Sequence, residues 1–155
     1  MCKSSKKASL EREKGLVLLA KKIDGGWKES MSNFVVDTYA WIEYLDGSER
    51  GKHVAIIVED SAHKIYVSAA TVAEVTSKFL RTGKNPSVAV HCLDTLSTSI
   101  SLNREIALSA GEIHFETTRN VKDFGMLDAF VVATAKHVQA KILTGDSDFK
   151  SFKNV

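Results

Sequence analysis

Phe34-Val35-Val36-Asp37-Thr38-Tyr39-Ala40-Trp41-Ile42-Glu43-Tyr44-Leu45 is the stretch on which the fold turns. Residues 33–37 read as a short strand buried on both faces. The apolar residues Trp41, Ile42 and Leu45 then recur at helical spacing until Asp46-Gly47 stops them. A strand that runs straight into a helix opens an α/β unit, and Asp37 stands at the carboxyl end of that strand.

The same alternation continues outward from this unit. A helix is expected over 53–58, a strand over 64–67, and a helix over 71–81 that Gly83 ends. Asn85 caps a helix that starts at Pro86, where the missing N–H of proline goes unneeded. A third strand is expected over 99–102, a helix from Arg104 to about Glu112, a strongly apolar helix over 127–138 and a fourth strand over 141–144. Strands alternating with helices predict a three-layer α/β/α fold with a central parallel sheet of about four to five strands.

Upstream, residues 1–30 read as a basic N-terminal extension, helical over 8–23 and closed by Asp24-Gly25-Gly26, with residues 31–155 as the main domain. A solvated basic arm fits the extension equally well, and so does a translation start at Met31. The extension carries eight Lys/Arg and four Asp/Glu, leaving thirteen and fifteen of the chain's 21 and 19 to the main domain. A mildly acidic domain counts against nucleic-acid binding unless several carboxylates are committed to metal. Cys2 and Cys92 lie far apart, and His53, His63, His91, His114 and His137 show no paired spacing, so neither zinc nor a disulfide framework is expected. The apolar run 16–20 is too short for a signal peptide, and no uncharged run approaches the ~18 residues of a bilayer span. A cytoplasmic protein is the expectation.

In open parallel sheets, sites form beyond the carboxyl ends of the strands. Asp37 and Asp146 follow two strand ends, while Glu74 and Asp128 stand near helix starts that antiparallel packing would bring to the same edge. Four like charges raise one another's pKa unless a cation joins them. Mg²⁺ or Mn²⁺, which prefer oxygen donors, suit such a set. The chemistry that follows is phosphodiester hydrolysis, with one ion activating the attacking water and a second able to stabilise the leaving oxygen. Each acid also has an ordinary structural use. Glu74 can close a capping box with Thr71, Asp128 can complement a helix dipole, and Asp146 and Asp148 can bond their own turn. Asp37 has the least obvious structural purpose of the four.

Together with 34–45, the segments Val67-Ser68-Ala69-Ala70-Thr71-Val72-Ala73-Glu74-Val75, Leu127-Asp128-Ala129-Phe130-Val131-Val132-Ala133-Thr134-Ala135 and Ile142-Leu143-Thr144-Gly145-Asp146-Ser147-Asp148-Phe149 resemble, in order, the motifs of PIN domains, particularly VapC-type toxins. The resemblance covers 33–149. It implies an acidic metal-site quartet at Asp37, Glu74, Asp128 and Asp146, with Asp148 accessory and Thr38 and Thr144 as supporting hydroxyls; Glu43, six residues beyond Asp37, is not assigned to the metal. It further implies an endoribonuclease dependent on Mg²⁺ or Mn²⁺ that leaves a 5′-phosphate and a 3′-hydroxyl. The expected partners are an RNA substrate, a second copy in a homodimer and a protein antitoxin, with no membrane. The extension departs from the compact toxin, and Asn154-Val155 is expected to be the stub of a last short strand.

Lys78, Arg81 and Lys84 after Glu74, and Arg119 and Lys122 before Asp128, are the candidate phosphate contacts. A solvated helix face accounts for each of them equally well. Two other functions stand beside the nuclease. One is a PIN-like module that binds RNA or protein with little catalysis. The other is a phosphoacceptor receiver domain, which wants a further acidic pair after its first strand where this chain has Thr38 and Tyr39.

Overall fold

In the computed structural model, which describes residues 32–152, β1 (Asn33–Val36) occupies an inner position of the sheet. It is followed by α1 (Thr38–Leu45), α2 (Glu49–Val58), β2 (Lys64–Ser68), α3 (Ala69–Arg81), α4 (Pro86–Leu96), β3 (Thr98–Ile100), α5 (Arg104–Thr117), α6 (Met126–His137), β4 (Lys141–Leu143) and a 3₁₀ turn (Ser147–Ser151). The strands pair in the order β3-β2-β1-β4, all parallel. This order sets β1 between β2 and β4, whereas a receiver domain sets its first strand between the second and third.

Period-two alternation in the strands makes the three layers. Phe34 and Val36 of β1, Ile65 and Val67 of β2 and Leu143 of β4 share a core with Trp41, Val54, Ile57, Val75, Phe79 and Leu93 from α1 to α4. Val35 and Ile142 share the opposite core with Ile106, Ala110 and Ile113 of α5 and Ala129, Val132 and Ala133 of α6. Each large apolar side chain so buried contributes on the order of 1.5–3 kcal/mol, so a one-residue slip of β1, which exchanges its two faces, is strongly disfavoured.

Local signals set the element ends. Asn85 Oδ1 accepts from the Ser87 N–H at 3.0 Å beside Pro86, as expected. Gly47 and Gly83 end α1 and α3 with φ of 63° and 70°, where a side chain is strained. Helix α2 begins four residues before the expected 53, because the Ser48 hydroxyl caps it by accepting from the Gly51 N–H at 2.9 Å. Helix α5 runs past Glu112 to Thr117, its buried stripe Ile106-Ala110-Ile113 carrying it through Gly111. The extension 1–30, Met31 and Asn154-Val155 lie outside the described residues.

Gly51 fixes how α2 nests on α1. A Cβ at this position would sit 2.1 Å from the backbone oxygen of Glu43 and 2.7 Å from its carbonyl carbon. Backbone cannot swing aside as a side-chain tip can, so the helices would have to separate. Gly51→Ala is therefore expected to destabilise the protein by about 2 kcal/mol or more in urea unfolding; an unchanged midpoint would mean that α2 does not pack this closely.

Candidate functional site

The register of the sheet places residues distant in sequence side by side at its carboxyl edge. Val36 pairs with Leu143, and the ladder continues one step further as the Asp37 N–H donates to the Leu143 carbonyl at 3.1 Å. Asp37 is thereby brought beside Thr144, whose hydroxyl donates to Asp37 Oδ2 at 2.8 Å. The same carboxylate oxygen caps α1 by accepting from the Tyr39 N–H at 3.4 Å. Asp37 thus has a structural use that the sequence did not disclose, as the N-cap of α1.

The other acids reach this edge from three different elements. Glu74 lies in the second turn of α3, whose N-cap is Ser68 and not Thr71, so the capping-box expectation fails. Its Oε2 accepts from the Thr38 hydroxyl at 2.7 Å, tying α3 to the start of α1. Asp128 is the third residue of α6, and its Oδ2 accepts from the Gly125 N–H at 2.9 Å. Asp146 caps the 3₁₀ turn by accepting from the Asp148 N–H at 3.0 Å, and its own N–H donates to Thr144 at 3.0 Å. Below the turn, buried Phe149 packs edge-on to Phe124 and anchors it.

Asp37, Glu74, Asp128 and Asp146 line one cleft of about 400 Å³, together with Thr38, Tyr39, Ile42, Glu43, Lys78 and Arg81. Glu74, Lys78 and Arg81 succeed one another at i, i+4 and i+7, one face of α3, which is why both cations reach the cleft. Lys84, beyond the Gly83 turn, instead pairs with Asp46 at 2.6 Å, and Arg119 lies over the Phe115 ring. Neither they, Lys122 nor Asp148 lines the cleft. Tyr39 and Ile42 are cleft residues that the sequence reading did not assign to a site, and Glu43, which it considered and left unassigned to the metal, lines the cleft beside them. Their i, i+3, i+4 spacing on the helix that Asp37 caps is the signal that finds them.

Burial and like charge dominate the electrostatics of the cleft. Burial pushes the Asp37 carboxyl up to about 7, offset in part by the Thr144 hydroxyl and raised further by the Asp128 charge. Burial also raises Asp128; the Gly125 N–H lowers it, and Glu74, Asp146 and Asp148 raise it again. Among the described residues, no three acidic, histidine or cysteine side chains converge to hold one ion. Those residues form no ready-made cage of the zinc kind, whereas a hard, largely hydrated dication needs only one or two carboxylates, with water and substrate phosphate supplying the rest. A cleft lined by carboxylates is the kind of donor set that such an ion takes.

The raised Asp37 has a thermodynamic consequence. Its folded-state pKa of about 7 lies above the ordinary 3.8, so without metal the folded protein loses stability as pH rises through that interval. In EDTA, Asp37→Asn is expected to melt above the wild type near pH ~8, by a free energy on the order of a few kcal/mol, with the gap closing toward pH ~4. A wild type as stable as the variant at the higher pH would show that the carboxylate is not desolvated.

The sequence matches the PIN domain family over residues 34–155. No curated protein matches it. Solved structures similar in fold include VapC20 of Mycobacterium tuberculosis, described as a Sarcin-Ricin loop cleaving toxin, at 16% identity and a TM-score of 0.65, covering 79% of this chain and 96% of that one. Another is VapBC2 of Rickettsia felis bound to a DNA fragment from its promoter, at 14% identity and a TM-score of 0.63, covering 79% and 95%. A third is FitAcB of Neisseria gonorrhoeae, at 24% identity and a TM-score of 0.56, covering 74% and 88%. At these identities the likeness establishes the fold. The family match spans the whole acidic cleft, from the strand before Asp37 to the turn that holds Asp146, and the chain belongs to the PIN domain family.

Proposed function

We propose that this protein is a divalent-metal-dependent endoribonuclease that hydrolyses RNA phosphodiester bonds, acting in the cytoplasm as the toxin of a toxin–antitoxin pair. The observation that supports this reading is that Asp37, Glu74, Asp128 and Asp146 all line one cleft at the carboxyl edge of a parallel sheet, with Lys78 and Arg81 at the same cleft. The described residues include no helix long and apolar enough to cross a membrane. The antitoxin partner draws on the VapBC structures among the similar folds, and the homodimer only on the family resemblance of the sequence.

Each residue has a definite task in this scheme. Thr144 and the Tyr39 N–H hold Asp37 in one rotamer, and Thr38 does the same for Glu74. The Gly125 and Asp148 N–H groups fix Asp128 and Asp146. The carboxylates would hold Mg²⁺ or Mn²⁺, with Asp148 in an accessory place through its charge on Asp128. When bound, such an ion activates water and stabilises charge at phosphorus. Lys78 and Arg81 are exposed and extend from Glu74 along α3, where they receive the phosphates flanking the scissile one without reading sequence.

The expected outcome is RNA cleavage that needs Mg²⁺ or Mn²⁺ and stops in EDTA. Asp37→Asn, Glu74→Gln and Asp128→Asn should each lower kcat by roughly two orders of magnitude or more. Lys78→Gln and Arg81→Gln should mainly raise KM and flatten its salt dependence. A second reading, a PIN-like module that binds RNA or protein with little catalysis, draws on the lack of three converging ligands among the described residues. Folded protein that binds RNA but cuts none across several substrates would establish that reading instead.

A further inference from the structure

The cleft is chemically two-sided. Helix α3 brings cations to it, Lys78 and Arg81, whereas α1 brings Tyr39 and Ile42. Tyr39 is held from several directions. Its half-buried ring packs on the core beneath α1, and its hydroxyl accepts from Arg50 Nη1 at 2.6 Å. Arg50 also pairs with Glu43 at 3.5 Å, and Glu43 accepts from the Ser48 hydroxyl. The close approach of α2 at Gly51 is what brings Arg50 within reach. Tyr39 lines the cleft with the polar end of its phenol already engaged, which leaves the ring as the part free to meet a ligand.

We propose that Tyr39 is a base-receiving wall: a nucleotide beside the scissile phosphate lays its base on the Tyr39 ring and Ile42 while its phosphates face Lys78 and Arg81. This rests on the nuclease reading above and adds a positioning residue to it, one that acts on an unpaired nucleotide. A base can reach an aromatic ring inside a cleft of about 400 Å³ only when it has left its own stack. A ring already fixed by Arg50 loses little freedom on binding, so stacking here translates into affinity. Every base has a π-face, so the wall selects for unpaired structure more than for a particular base. Tyr39 is a positioning residue in this scheme, and the chemistry stays with the acids.

The test uses a fluorescent single-stranded RNA oligonucleotide and the same strand annealed to its complement. Binding is read by anisotropy in the Asp37→Asn background, and cleavage is read in parallel with the acids intact. Tyr39→Leu is expected to weaken single-strand binding about tenfold and raise KM equally, with kcat little changed. Tyr39→Phe, which keeps the ring, should recover most of that loss, and the duplex should bind weakly to all variants. Melting curves establish that both variants fold. Leu binding within about twofold of the parent overturns the proposal. A Phe variant as impaired as Leu also overturns it, since the loss would then belong to the Arg50 hydrogen bond. Wild-type protein that binds RNA in this pattern yet cuts none would refute the nuclease reading alone and leave the wall standing.

Discussion

A carboxylate buried at the end of an apolar strand is the constraint around which the rest of this site is arranged. Asp37 is 3% exposed, and its neighbours are the neutral Thr144 hydroxyl and the Tyr39 N–H. Such donors orient a carboxylate but do not neutralise it, and the Asp128 charge raises Asp37 further while Glu74, Asp146 and Asp148 in turn raise Asp128. The fold holds like charges in a shared cleft, with Lys78 and Arg81 of α3 as the cations beside them. Helix geometry softens this in part: α1, α3 and α6 all begin at this edge, and the partial positive charge of a helix N-terminus faces the acids there.

The topology makes the arrangement possible. With all strands parallel, every carboxyl end lies at one edge, and β1 between β2 and β4 receives neighbours from both. Asp37 and Thr144 are 107 residues apart in sequence and in hydrogen-bond contact because Val36 pairs with Leu143. The two cores that flank the sheet, led by Phe34 and Val36 on one face and Val35 on the other, forbid the register slip that would part them. Stability on both faces of β1 is therefore what gives the site its geometry.

Much of this was legible in the sequence, for definite physical reasons. Strands and helices announce themselves by period, and the acids by falling at strand ends and helix starts, so the fold class and the four acids that line the cleft are both legible in the sequence. Helix ends were less legible. Ser48 caps α2 with its side chain, and Gly51, which reads as a breaker, is the residue that lets α2 meet α1. The direction of a surface side chain is not written in its sequence neighbourhood at all. Lys78, Arg81 and Lys84 look alike on paper, yet the turn at Gly83 sends Lys84 to Asp46. Tyr39, Ile42 and Glu43 were hidden inside the motif that defined the fold, because apolar helical spacing accounts for Tyr39 and Ile42 before a site does.

The central claim is that this charge cluster is completed by a divalent cation, and direct Mn²⁺ binding, followed by electron paramagnetic resonance, examines it without any assumption about substrate. Saturable uptake by the wild type is expected, weakened at least about tenfold by Asp37→Asn and by Asp128→Asn. Uptake that never saturates, or that is the same in the wild type and both variants, would contradict the claim.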